Sequence, residues 1–199
     1  MFAKIITIVA LALAVDLYMA VPAAQARTKT FKGTFKSSGE TIDVISDFSF
    51  DGSTTNSAGL NTFWSTDSLG EVGPGQSVSE YSFDSSAACS FKGLSGTTES
   101  GGTLTLLGAV GAGHAFGCPL FGDTFLAGST GTGCFNSTTG DFAGTETDLF
   151  VGGTGANKNA TGSATYKFVG VTLGPSASPP GYGFFRWFES KGTFVEKVP

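Results

Sequence analysis

Hydrophobic and polar residues alternate with a period of two along much of the chain. The alternating segments are residues 31–36, 42–50, 164–169 and 184–194. In the second segment, Ile42 and Val44 share one face with two phenylalanines, while aspartates occupy the opposite face. Such alternation is typical of β-strands that bury one face. These segments therefore predict strands, with the faces that carry Phe35, Ile42, Phe168 and Phe188 directed inward.

Glycine-rich turns separate the alternating segments, and stretches that favour helix are nearly absent after residue 26. The chain has 30 glycines, and each costs about 1 kcal/mol in a helix interior. Many short strands at near-even spacing predict an all-β fold, either a barrel or a sandwich. We favour a single antiparallel up-and-down β-barrel of about eight strands, because closure removes sheet edges and few lysines are placed to protect them. No second domain boundary is visible, so residues 27–199 are predicted to form one barrel domain.

One internal repeat is visible in this region. The pattern Gly-Thr-Gly, five residues, Thr-Gly begins at residue 131 and again at residue 153. The offset is about the length expected for two strands and their turns. Because glycine- and threonine-rich repeats also occur in β-helices, a solenoid is the alternative to the barrel.

The second copy of the repeat resembles a known family. Residues Gly152–Gly155 followed by Ala160–Gly162 resemble the Gly-Gly-Thr-Gly, aromatic, Ala-x-Gly segment of allene oxide cyclase and dirigent-type β-barrels, which also occurs in uncharacterised exported bacterial proteins. The similarity covers roughly residues 127–170, and the chain has Asn157 where the family has an aromatic residue. The resemblance implies a calycin-like barrel of eight antiparallel strands whose lumen can hold one small apolar molecule. It does not imply one activity, because such barrels have unrelated functions.

The first 26 residues have the features of a cleaved signal peptide. Lys4 precedes an apolar run over residues 5–15, which is too short to span a bilayer, and Ala24-Gln25-Ala26 provides small residues at the positions that a signal peptidase recognises. We predict cleavage after Ala26 and a secreted, periplasmic or extracellular location. Asp16 interrupts the apolar stretch, so an uncleaved signal anchor is the alternative. The remaining chain has no apolar run long enough to cross a membrane.

Composition narrows the possible partners. The net charge is −5 and only 14% of the residues are charged, which argues against nucleic acid and anionic lipid as partners. The single histidine excludes His-rich zinc sites, and spaced aspartates in residues 43–51 follow strand alternation and not a calcium-loop pattern. We predict no metal site and no cofactor. Nothing in the sequence indicates an oligomeric state.

Three cysteines, Cys89, Cys118 and Cys134, would enter an oxidising compartment. One pair can form a disulfide bond. We prefer Cys118–Cys134 because it closes the shortest loop, and Cys89 remains the alternative partner of either. The third thiol is expected to be buried and inert, since no base flanks any of the three.

Glu146 and Asp148 are the candidate catalytic residues. Both fall on one face of a predicted strand together with Phe142 and Phe150. That face points either to solvent, with two exposed phenylalanines, or into the lumen. We favour solvent, because Leu149 and its neighbours on the opposite face can form a core. In a lumen, burial would raise the pKa values of the acids and make one a general acid or base.

Other candidates for ligand binding lie in the last strand and in one loop. Arg186 shares its face with Phe188, so it points inward and can hold a ligand carboxylate, or it lies at a barrel mouth beside a surface acid. His114, the only histidine, lies in a glycine-rich loop and is expected to be solvated, with ligand contact as the alternative. Phe142 and Phe150 would contribute apolar contacts.

Three functional hypotheses follow. The leading hypothesis is a non-enzymatic module that binds a small apolar molecule in an aromatic lumen or acts as a surface interaction protein. The second, which the resemblance suggests, is a cofactor-free isomerase or cyclase acting on a small hydrophobic substrate such as an oxidised lipid. The third is a structural matrix or adhesin-like domain with a surface rich in Thr, Ser and Gly.

Overall fold

The protein is an all-β closed barrel. The computed structural model describes residues 28–44, 57–69, 72–113, 124–154, 158–175 and 184–199. The eight antiparallel strands are β1 (Lys29–Val44), β2 (Ser57–Asp67), β3 (Val72–Lys92), β4 (Thr98–Gly113), β5 (Thr124–Phe135), β6 (Asp141–Gly153), β7 (Thr161–Pro175) and β8 (Phe184–Val198). The predicted leader, His114 and Cys118 lie outside the described residues. No helix in the described ranges is long and apolar enough to cross a membrane.

Pairing between the first and last strands closes the sheet. Each strand pairs with its neighbour in sequence, and β1 pairs with β8, with Phe35 opposite Gly192. The prediction of an eight-stranded antiparallel barrel is confirmed, and the solenoid alternative is wrong. The strands have 11 to 21 residues, longer than the sequence suggested. The repeat offset therefore spans one strand and one turn, not two strands.

Side chains alternate between the lumen and the outer surface. Phe35 and Phe194 are almost completely buried, as predicted. The predicted inward face of residues 42–50 is wrong at its start, because Ile42 is 40% exposed while Thr41 lines the lumen. The alternation of β1 continues without a break from Phe31 to Thr41, with the odd-numbered residues facing the lumen. Ile42 therefore faces outward.

Lumen-facing glycines lie opposite aromatic residues on the neighbouring strand. The ring of the aromatic partner lies over the glycine, in space that a β-carbon would occupy. The cross-strand pairs are Gly33 with Phe194, Gly75 with Phe63, Gly144 with Phe168 and Gly170 with Phe142. These pairs keep large rings flat against the barrel wall, which leaves room in the middle of the lumen.

Within the described residues, hydrophobic side chains fill one end of the barrel. Phe35, Leu106, Ala109, Phe150, Ala164 and Phe194 form a buried hydrophobic cluster. Phe35 and Ala109 also line the cavity described below, so the cluster forms the floor of that cavity. The opposite end, which we call the hairpin end, carries the β3–β4 turn (93–97) and the β5–β6 turn (136–140).

A disulfide bond joins Cys89 on β3 to Cys134 on β5, with a Cα–Cα distance of 5.9 Å. The preferred pairing of Cys118 with Cys134 is therefore wrong, and the alternative partner Cys89 is the one used. Strand β4 separates the two cysteines, and Cys89 lies opposite Gly101 on this strand. Because Gly101 has no side chain, the bond can cross β4 on the outer face. The number of residues between two cysteines determines the entropy of loop closure in the unfolded chain. It does not show which cysteines lie close together in the folded barrel.

Candidate functional site

The lumen encloses a cavity of about 350 Å³. Residues from all eight strands line it. Those that the following paragraphs use are Phe35, Thr41, Asn61, Phe63, Ser65, Ser77, Ser79, Tyr81, Phe83, Phe135, Phe142, Glu146, Asp148, Tyr166, Phe168, Arg186 and Phe188. This volume lies within the range of pockets that hold small molecules in proteins.

The cavity lining combines polar groups with many aromatic rings. In one polar group, Asn61 accepts a hydrogen bond from Thr41 Oγ1 at 2.7 Å and donates from Nδ2 to Ser77 Oγ at 3.1 Å and Ser79 Oγ at 3.0 Å. These residues belong to β1, β2 and β3. The phenylalanines of the lining come from both halves of the barrel: Phe35, Phe63, Phe83, Phe135, Phe142, Phe168 and Phe188. A molecule that fits this lining has an apolar body and a small number of polar groups.

The two candidate acids point into the lumen. Glu146 is 6% exposed and Asp148 is 2% exposed, and both line the cavity. The favoured solvent-facing orientation is therefore wrong. On the opposite face, Leu149 is 46% exposed and Val151 is 61% exposed. Alternation correctly placed the two acids on one face. The hydrophobic residues of the opposite face suggested that this opposite face was buried, and it is exposed.

Two tyrosines flank the acid pair. Tyr81 donates a hydrogen bond from its hydroxyl to Glu146 Oε2 at 2.7 Å, across the lumen from β3 to β6. Tyr166 lies directly opposite Glu146 on β7. Its ring contacts Phe35 edge to face, with a centroid distance of 5.8 Å. The acid pair is thus enclosed by aromatic rings just above the floor of the cavity.

Burial raises the pKa of Glu146 to about 8, and the neighbouring Asp148 carboxylate contributes in the same direction. The hydrogen bond from Tyr81 opposes this shift in pKa without cancelling it. Burial also raises the pKa of Asp148. For Tyr81 and Tyr166, burial and the adjacent acids raise the hydroxyl pKa well above the ordinary value. At neutral pH Glu146 therefore holds a proton, and both tyrosines remain neutral donors.

One oxygen of the acid pair lacks a partner. Asp148 Oδ1 is buried and makes no hydrogen bond to any described residue, and the same holds for Ser65 Oγ. Both side chains line the cavity. Buried polar atoms are almost always satisfied, because leaving one unpaired costs about 1 to 3 kcal/mol. A polar group of a bound molecule can satisfy these atoms.

Comparison with known proteins finds no family model that matches the chain, no similar curated protein and no similar solved structure. The resemblance to allene oxide cyclase and dirigent-type barrels stays a prediction. The described residues contain no group of three or more side chains suited to hold a metal ion.

The remaining candidates are distributed over both ends of the lumen. Arg186 lines the cavity toward the hairpin end, where its Nε donates to Thr172 Oγ1 at 3.2 Å and its guanidinium lies 5.6 Å from the Phe135 ring centroid. Phe142 and Phe188 line the cavity as predicted. Phe150 belongs to the cluster that forms the floor. The structure thus separates Arg186 from the acid pair.

Sequence reasoning missed Tyr81, Tyr166 and Asn61 as site residues. Tyr166 lay on a predicted inward face, so its parity with Phe168 was an available signal. Tyr81 lies on β3, where Ser77, Ser79 and Phe83 also line the cavity at every second position. Because the inward positions before Tyr81 are serines, hydrophobic alternation did not identify this face.

Proposed function

We propose that this chain is an exported barrel protein that binds one small, largely apolar molecule in its lumen. The observation that carries the proposal is the cavity of about 350 Å³, whose lining includes seven phenylalanines. A lumen filled by phenylalanine side chains would leave no such space. The cavity also favours ligand binding over the structural, adhesin-like hypothesis, which requires no interior volume.

The polar groups of the lumen are few and are concentrated in defined places. Asn61 and its hydroxyl partners form one group, and the acids and tyrosines form another. Apolar pockets with a few convergent polar groups are typical of small-molecule sites. Export is supported by the leader pattern and by the Cys89–Cys134 disulfide, because such bonds persist mainly in oxidising compartments.

Filling the lumen is expected to abolish binding. In Ser77→Trp, an indole would occupy the cavity, while Asn61 keeps its bond to Ser79. We expect saturable binding of the neutral dye Nile red to the native protein, and affinity at least about tenfold lower in Ser77→Trp, measured by fluorescence titration. The control is Val78→Trp, at the next position of β3, where alternation directs the side chain outward.

Two results would contradict the binding proposal. One is the absence of saturable binding to the native protein. The other is an equal loss of affinity in both tryptophan variants, since Ser77 faces the lumen and Val78 does not. Circular dichroism of both variants establishes that the barrel is intact before titration.

We propose acid–base catalysis as a second candidate function, because the structure meets the requirement for an inward acid with a raised pKa. Glu146, with a pKa of about 8, would act as the general acid. Asp148 would accept a proton through its unpartnered oxygen. The resemblance implies a cofactor-free isomerase or cyclase for a small hydrophobic substrate, and a proton transfer within the lumen fits that reaction class.

The catalytic proposal predicts turnover of a simple probe. We expect the protein to convert a β,γ-unsaturated ketone to its conjugated isomer. The reaction is monitored by the ultraviolet absorbance of the conjugated product. Glu146→Gln and Asp148→Asn should each lower kcat/KM at least about tenfold. Thr147→Val is the control, because Thr147 lies between the two acids on the outer face. Unchanged turnover in both acid variants, or no turnover by the native protein, would refute a catalytic role in this reaction.

A further inference from the structure

The acid pair has no cationic partner in the described lining of the cavity. The titratable residues there are Tyr81 from β3, Glu146 and Asp148 from β6, Tyr166 from β7 and Arg186 from β8; the described lining of β1, β2, β4 and β5 contributes none. Gly192 lies opposite Tyr166 at the level of the acids, and Arg186 is six residues further along β8. At a rise of about 3.3 Å per residue, Arg186 is about 20 Å away along the strand. Two carboxyl groups are thus buried together, and the described part of the chain places no positive charge beside them.

Such an arrangement is energetically costly. Buried acids are normally paired with a cation or ligate a metal, because desolvation of a carboxylate is not repaid otherwise. Here Asp148 Oδ1 also lacks any hydrogen bond to the described residues, although the side chain is 2% exposed and lines the cavity. Oδ1 is thus an acceptor without a donor among the described residues, on a side chain that lines the cavity. It therefore indicates a donor on the ligand.

Aromatic rings complete the surroundings of the pair. Phe35 and Tyr166 pack edge to face beside it, and Tyr81 reaches Glu146 from the far side of the lumen. Ring faces attract cations in desolvated sites. Acidic oxygens within an aromatic enclosure are suited to an ammonium group and unsuited to a carboxylate, which would meet like charge.

We propose that the ligand of this lumen is an organic amine whose ammonium group binds Glu146 and Asp148 at the floor of the cavity. The inference rests on the proposed ligand-binding function and adds the chemical class of the ligand. The apolar body of the amine lies against Phe142 and Phe168, and its nitrogen donates to Asp148 Oδ1. A neutral molecule of the same shape lacks the charge that the pair requires.

Proton linkage follows from this arrangement. An ammonium group stabilises the ionised acids, so it lowers their pKa values. The proton that Glu146 holds in the free protein is then released to solvent. Amine affinity should therefore rise between about pH 6 and about pH 8, by at most about tenfold per pH unit for one displaced proton. Tyr81 and Tyr166 stay neutral over this range. Arg186, the remaining charged group of the described lining, lies toward the hairpin end and away from the acids.

The experiment compares three probes with one aromatic body and different charge: phenethylamine, phenethyl alcohol and phenylacetate. Each is titrated calorimetrically into the exported, disulfide-bonded protein. We expect the amine to bind at least about tenfold more tightly than the alcohol, and phenylacetate to bind most weakly. Titrations of the amine in buffers with different ionisation enthalpies should show proton release.

A double variant, Glu146→Gln with Asp148→Asn, separates charge from shape. We expect it to bind amine and alcohol with equal affinity, because the charge that distinguishes the two probes no longer has a partner. Equal binding of amine and alcohol by the native protein would overturn the inference, as would an amine preference that survives in the double variant. The rise of affinity with pH is measured on the native protein, so its absence overturns the inference even if the variant does not fold.

Failure of this inference is distinguishable from failure of the binding function. If Nile red and phenethyl alcohol bind but the amine has no advantage, the lumen binds apolar molecules and the amine class is wrong. If neither Nile red nor any of the three probes binds, both proposals are wrong.

Discussion

The free energy of unfolding is expected to fall as the pH rises from about 5 to about 8. Glu146 has a pKa of about 8 in the folded barrel, against an ordinary value of 4.5. Between these values the unfolded chain releases its proton and the folded chain keeps it. The folded state therefore binds more protons, and raising the pH favours unfolding. The stabilisation is fully present below pH 4.5 and is lost as the pH passes the folded pKa.

The expected effect is large for one side chain. A shift of one pKa unit corresponds to about 1.4 kcal/mol, so Glu146 alone accounts for up to about 5 kcal/mol between these limits. Asp148 acts in the same direction, because burial raises its pKa as well. The measurement is urea denaturation at a series of pH values for the native protein and for Glu146→Gln.

Glu146→Gln should flatten the pH dependence, because glutamine does not titrate and its amide oxygen can still accept the bond from Tyr81. The control is Glu189→Gln, which removes an exposed carboxylate from the outer face of β8 and should leave the slope unchanged. A native protein with flat stability from pH 5 to pH 8, or a Glu146→Gln variant with the native slope, would show that Glu146 is not buried as described.

Removal of the disulfide bond is expected to cost about 4 kcal/mol. The bond links residues 45 positions apart, and the chain-entropy relation gives a stabilisation of that order for a loop of this length. Cys89→Ser with Cys134→Ser should lower the free energy of unfolding in urea by about this amount. The bond ties β3 to β5 across β4, so its loss should act on the centre of the sheet.

Reduction provides the matched control for the disulfide. Treatment of the native protein with dithiothreitol should produce the same loss as the double substitution, and the same treatment should leave the double variant unchanged. A double variant as stable as the native protein would mean that the bond does not constrain the unfolded chain. Peptide mapping under non-reducing conditions would separately refute the pairing if Cys134 were found joined to Cys118.

Alternation in the sequence was sufficient to predict the strands and the closed barrel. Lumen-facing residues such as Phe35, Tyr166 and Phe194 repeat at every second position over long, unbroken stretches, and an antiparallel barrel is the arrangement that buries all of them. The same logic put Arg186 on one face with Phe188, and left open whether Arg186 points inward or lies at a barrel mouth. Where alternation is continuous, it shows which residues share a face.

The candidate site was less predictable, because its defining feature is a violation of the usual pattern. The inward face of β6 carries Glu146 and Asp148, whereas Leu149 on the outer face is more hydrophobic. A preference for burying apolar residues therefore selects the wrong face. Functional sites are where local patterns and the fold are expected to disagree. Tyr81 comes from a strand 65 residues away, and only the closed sheet brings it to Glu146.

The glycine–aromatic pairs of the wall set the capacity of this lumen. At Gly170, for example, the absent side chain lets the Phe142 ring lie back against β7. One methyl group at such a position would tilt the ring across the channel and shorten the space above the acids. The length of the cavity and its charge are therefore determined by different residues. A single substitution at such a glycine would change the length of the cavity and leave Glu146 and Asp148 in place.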